Sequence, residues 1–72
     1  MTMDELQALL KECSDHKLKT VLPQHRLKED LMMTSFSMMM LLLKAEEKTG
    51  RSYDARLLSR AETVQDLYNI IA

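Results

Sequence analysis

Two hydroxyl residues, Thr34 and Ser35, lie where a charged loop gives way to the apolar segment 38–43. Threonine is a favourable helix N-cap because its side-chain oxygen accepts a hydrogen bond from a free backbone N–H of the first turn. With Thr34 as the cap, Ser35 is predicted to be the first residue inside the helix. Its hydroxyl would then lie beside the positive end of the helix dipole, where an attached phosphate is best tolerated. This spacing indicates a phosphoester site at Ser35.

The sequence gives less support to two other kinds of site, a metal site and a hydrolase active site. Cys13 and His16 form one loose pair at metal-ligand spacing, but no second pair accompanies it, so no metal site is predicted. A hydrolase built on Ser35 would need a positioned base and an oxyanion site, and neither histidine lies in a recognisable elbow motif. The chain is therefore not predicted to be an enzyme. Cys13 falls on an apolar helical stripe and is expected to be a small buried hydrophobe.

Composition limits the class of protein. The 72 residues allow a single domain, 1–72, which is too small for a deep enclosed active site. A net charge of −1 predicts neither a nucleic-acid nor a membrane partner. The longest apolar run, 38–43, is far short of the roughly 20 residues that span a bilayer. One cysteine and no recognisable signal peptide lead us to expect a cytoplasmic protein, and we expect it to be a monomer.

Hydrophobic periodicity predicts an all-α fold of three longer helices and one short helix. The first begins at a Thr2–Glu5 capping box and fades near residue 14, and the second runs from Ser35 to about residue 49, before Gly50. A short helix is expected over 54–59. The last helix is predicted to open at Thr63, with a capping partner three residues later.

A long first loop is predicted between the first two helices, because residues 14–33 show no clean period. Pro23 disfavours helix at the residue before it. Five apolar side chains are expected to anchor this loop to the core: Leu18, Val21, Leu22, Leu27 and Leu31.

The second helix is apolar on more than one side. On a helical wheel Phe36, Met39 and Leu43 share one line, with Leu42 beside it, and we predict that these apolar residues face the core. Met40 is predicted to face away from that line, with Met38 and Leu41 at its margin. An ordinary surface helix would be polar at these three positions, so either they are more buried than the wheel predicts or they form an apolar contact patch for a partner, and we expect the contact patch.

The segment Glu29-Asp30-Leu31-Met32-Met33-Thr34-Ser35-Phe36 resembles the acyl carrier proteins, whose usual pattern is Asp-Leu-Gly-x-Asp-Ser-Leu. The likeness continues through 45–47, the stretch after Gly50, and 62–67, and so covers roughly the last two-thirds of the chain. Met32 replaces the family's glycine, Thr34 replaces the aspartate before the serine, and the near-neutral charge replaces a strongly acidic one.

The resemblance implies a four-helix bundle of the acyl-carrier type that carries covalent 4′-phosphopantetheine, taken from coenzyme A, on Ser35. It implies as partners a phosphopantetheinyl transferase and the acyl-loading and acyl-processing enzymes, which the chain would serve by holding acyl groups as thioesters. Partner contacts are expected around the attachment site, at Thr34, Phe36, Ser37, Met38, Met40 and Leu41.

Three functions remain open at this point. Thr-Ser-Phe resembles dedicated carriers slightly more than housekeeping ones, which favours a specialised fatty-acid or polyketide pathway. An aminoacyl or peptidyl carrier is a second reading of the same resemblance. A helical interaction module, with Thr34 and Ser35 serving only as a helix start, is the third.

Overall fold

The computed structural model describes residues 1–14 and 19–71. Within these residues the chain forms four helices: α1 (Met3–Cys13), α2 (Ser35–Thr49), α3 (Ala55–Arg60) and α4 (Val64–Ile71). The predicted all-α fold, its element order and the short third helix are confirmed. No helix among the described residues is long and apolar enough to cross a membrane.

Local capping signals explain where the helices start and stop. The Thr2 hydroxyl accepts from the Glu5 N–H at 3.2 Å, and the Glu5 carboxylate accepts from the Thr2 N–H at 2.9 Å. The same reciprocal pair joins Thr63 and Asp66, with both distances at 3.1 Å. At the other end of α2, Gly50 adopts a left-handed conformation (φ 70°), which glycine reaches without the steric penalty of a Cβ.

The core lies between α1, α2 and α4. Each helix contributes an apolar stripe, and the loop between α1 and α2 contributes further apolar side chains. The largest fully buried apolar residues are Leu6, Leu10, Leu27, Leu41, Val64, Leu67 and Ile71. Two half-exposed ion pairs flank the contact between α1 and α2, from Lys44 to Glu12 at 3.8 Å and from Lys48 to Glu5 at 3.5 Å. Such pairs each contribute only about 0–1 kcal/mol, so burial of apolar surface dominates the packing.

The predicted core face of α2 is wrong. Phe36, Met39 and Leu43 are exposed by 68%, 62% and 56%, whereas the buried line is formed by Ser37, Leu41 and Ala45. The physical reason is that segment 36–43 carries apolar residues on nearly every side of the helix, so hydrophobic periodicity does not indicate which face is buried. Packing against α1 determines which face is buried, because the small side chains of Ser37 and Ala45 allow the two helices to approach closely.

The described part of the first loop, 19–33, has no helix and is tied to the start of α4. Backbone hydrogen bonds join the Leu27 N–H to the Glu62 carbonyl at 2.8 Å and the Val64 N–H to the His25 carbonyl at 3.0 Å. Of the five expected anchors, Val21, Leu27 and Leu31 are buried. Leu22 is exposed, so its assignment as an anchor is wrong, and Leu18 lies outside the described residues.

Candidate functional site

The segment before α2 folds into a turn that delivers Ser35 to the surface. The Asp30 N–H donates to the Arg26 carbonyl at 2.9 Å, while the Asp30 carboxylate accepts from the Arg26 N–H at 2.7 Å. Leu31 and Met33 then bury their side chains in the core. The Asp-Leu of the motif therefore has a structural role, since aspartate closes the turn and leucine anchors it.

Met32 has the left-handed backbone conformation that favours glycine, with φ at 56°. It is the one non-glycine residue with positive φ among the described residues. Such a conformation costs a side-chain-bearing residue roughly 1–2 kcal/mol. This is the position at which the acyl-carrier pattern has glycine, the residue that adopts this conformation without the steric penalty of a Cβ.

Thr34 caps α2 as predicted, and its hydroxyl accepts from the Ser37 N–H at 3.1 Å. Ser35 is the first residue of the helix and is exposed. The first turn of α2 contains no acidic residue, so an anion attached to the Ser35 hydroxyl would meet no like charge there. The free N–H groups and the helix dipole of this turn would favour such an anion.

The predicted partner-contact residues divide between surface and core. Thr34 and Phe36 are exposed, and Met38 and Met40 are half-buried. Ser37 and Leu41 are buried, and Ser37 in addition bonds to the Thr34 hydroxyl at 3.1 Å. Neither can contribute to a contact surface of the folded chain, which corrects the prediction for both.

An apolar cavity of about 190 Å³ lies beside Ser35, between α2, α3 and the loop. Its walls come mainly from apolar side chains, with Ser35, Lys28 and Ser59 as the polar members. The lining residues are Leu27, Lys28, Ser35, Met38, Met39, Leu42, Ala55, Leu58, Ser59 and Ala61. An engineered apolar cavity of about 150 Å³ is large enough to bind benzene, so this one can hold a group of roughly six carbons.

Sequence reasoning missed this cavity and most of its lining. The cavity lies where α3 packs on α2, and no period or motif in either helix predicts how the two pack. Leu42 was predicted to face the core beside the line Phe36, Met39 and Leu43; it is half-buried and lines the cavity.

The other candidates from the sequence supply no competing centre. Cys13 is buried, and burial raises the pKa of its thiol above the ordinary value. No group of three or more metal-ligating side chains occurs within 1–14 and 19–71. His16, the other half of the loose metal pair, lies outside the described residues.

Comparison of this chain with protein-family models, with curated proteins and with solved structures gives no match. The resemblance to acyl carrier proteins therefore depends on the motif residues and on the geometry that they adopt around Ser35.

Proposed function

We propose that this chain is an acyl carrier protein that bears 4′-phosphopantetheine on Ser35. Attachment would form a bond from the Ser35 hydroxyl oxygen to the pantetheine-bearing phosphorus of coenzyme A and break the pyrophosphate bond, with 3′,5′-ADP as the leaving group and the hydroxyl proton taken by the transferase. The thiol of the arm would hold acyl groups as thioesters. The chain itself would perform no catalysis. Its partners would be a phosphopantetheinyl transferase and the enzymes that load and process the acyl group, in a reducing cytoplasm where the arm's thiol stays free.

The observation that carries the proposal is the position of Ser35, which is an exposed helix-start hydroxyl on the rim of an apolar cavity. A cap alone would account for Thr34 and Ser35, but it would not account for an adjoining cavity large enough for an acyl group. The left-handed turn at Met32, in the glycine position of the acyl-carrier pattern, supports the same conclusion.

The test is the intact mass of the chain after incubation with coenzyme A and a promiscuous phosphopantetheinyl transferase. We expect one added arm on the parent chain and none on Ser35→Ala, which should fold because Ser35 is exposed. Ser59→Ala is the matched control, since Ser59 lines the same cavity and should leave modification unchanged. An arm that persists on Ser35→Ala would overturn the assignment.

One observation favours a helical interaction module instead. Phe36, Met39 and Leu43 form an exposed apolar stripe along α2, of the kind that marks a protein-contact surface. Thr34→Asp separates the two functions, because aspartate caps a helix at least as well as threonine and restores the charge of the acyl-carrier motif. Failure of both the parent chain and this variant to accept an arm would leave the interaction module as the better proposal.

A further inference from the structure

The mainly apolar cavity beside Ser35 adjoins a second, polar depression. Lys28, Ser59 and Ala61 line both spaces. The depression adds Arg26, Glu29, Arg60 and Glu62 from the loop and from the region around the end of α3. A group that fills the cavity therefore lies next to the charged side chains of the depression, which Lys28 shares with the cavity.

The cations of this depression are not all neutralised. Arg26 is held by Glu29 at 2.7 Å, and this hydrogen bond raises the pKa of Arg26. Lys28 and Arg60 are exposed, and no carboxylate of the described residues lies within ion-pair distance of either. Among the described residues that line the depression, the three cations Arg26, Lys28 and Arg60 face the two carboxylates of Glu29 and Glu62, so the lining has an excess of one positive charge.

Lys28 is suited to connect the two spaces. Its aliphatic stem can form part of an apolar wall while its ammonium group stays in water, as lysine side chains commonly do at apolar surfaces. From this arrangement we infer that the cavity takes a short acyl group with a terminal carboxylate, with a chain of about six carbons in the cavity and the carboxylate beside Lys28 and Arg60. This inference rests on the proposed acyl-carrier function, whose cargo it specifies.

The first experiment uses the loaded protein. The chain is charged with hexanedioyl phosphopantetheine or with its neutral ω-methyl ester, and the rate of thioester cleavage by hydroxylamine is followed by intact mass. Each rate is divided by that of the same acyl group on coenzyme A, which removes the intrinsic reactivity of the thioester. We expect the carboxylate cargo to be protected about threefold more than the ester, the size expected of an exposed ion pair.

Two variants locate the effect. Lys28→Gln should abolish the preference for the carboxylate cargo, and Lys19→Gln, an exposed lysine of the same loop that lines neither space, should retain it. Equal protection of both cargoes in the parent chain would overturn the inference. So would a Lys28→Gln variant that changes both cargoes alike, because Lys28 would then serve the phosphodiester or only the apolar wall.

A second experiment keeps this inference separate from the proposed function. The unmodified chain is titrated with the N-acetylcysteamine thioester of hexanedioic acid and with its methyl ester, and amide NMR shifts are followed at Leu42, Leu58 and Ser59. Tighter binding of the acid by about threefold, lost in Lys28→Gln, is expected even if no transferase modifies Ser35. Absence of any shift at the cavity would reject the acyl site, whereas failure of loading alone would reject the arm.

Discussion

At the scale of single residues, the segment before Ser35 is held by side-chain to backbone hydrogen bonds but contains one residue in a strained backbone conformation. Asp30 and Thr34 place their side chains where the backbone needs hydrogen-bond acceptors. Met32, by contrast, holds a left-handed conformation with an exposed side chain that contributes little burial in return. The left-handed residue lies three positions before the serine, in the turn that precedes α2.

Met32→Gly is expected to stabilise the fold. Glycine removes a left-handed penalty of roughly 1–2 kcal/mol, and its greater freedom in the unfolded chain returns about 0.5–1 kcal/mol of that gain. The net expectation is a free energy of unfolding raised by up to about 1 kcal/mol, measured by urea denaturation. Met39→Gly, at an exposed position inside α2, should instead lower it by about 1 kcal/mol. If both variants lose stability equally, the turn at residue 32 is not strained.

At the scale of the helices, α2 has two apolar faces of which only one is used by the core. The buried line Ser37, Leu41 and Ala45 continues into Lys48, which reaches Glu5 on α1. The exposed line Phe36, Met39 and Leu43 continues into Glu47, which is exposed. Both lines end in a charged residue, so the sequence of α2 alone does not show which line is buried and which is exposed.

Substitution by glutamate should separate the two faces. Met39→Glu places a charge in water and is expected to change the free energy of unfolding by no more than about 0.5 kcal/mol. Leu41→Glu buries a carboxylate without a partner, and its cost should exceed the roughly 2–5 kcal/mol of a buried Leu→Ala substitution. Since a domain of this size has a stability of only about 4–11 kcal/mol, Leu41→Glu should be largely unfolded in thermal melts. A folded Leu41→Glu variant would contradict the packing of α2.

The capping box of α4 predicts a pH dependence. Hydrogen bonds from the backbone N–H groups of Thr63 and Glu62 lower the pKa of Asp66 below its ordinary value. The folded chain therefore holds this proton less tightly than the unfolded chain. The stabilisation is complete above the unfolded pKa and is lost as the pH falls through the lowered folded pKa.

Asp66→Asn is accordingly expected to flatten the acid side of the plot of melting temperature against pH. The amide still accepts from the backbone but does not titrate there, so the variant should be less stable than the parent near neutral pH and should approach it in acid. Glu47→Gln is the control, because Glu47 is exposed and accepts no hydrogen bond from the described residues. An unchanged acid limb in Asp66→Asn would assign the acid sensitivity to other carboxylates.

At the scale of the whole molecule, the features that could be predicted from the sequence depend on interactions between neighbouring residues. The features that could not be predicted depend on contacts between residues far apart in the chain. Thr2, Thr34 and Thr63 act within one helical turn, and their caps could be predicted from neighbouring residues alone. The backbone bonds of the loop to α4, such as Leu27 to Glu62, join residues 35 positions apart. The cavity likewise arises from the packing of α3 on α2, so the helix start at Thr34 and Ser35 could be predicted from the sequence but the cavity beside it could not.

The burial of Cys13 has a consequence for any cargo held on Ser35. The sequence contains no other cysteine, and this one lies in the core with a raised thiol pKa. A folded carrier of this kind would have no second sulfur able to accept the acyl group by exchange. The lifetime of the charged state would then be set by water and by the enzymes that collect the cargo, and the chain would carry one load at a time.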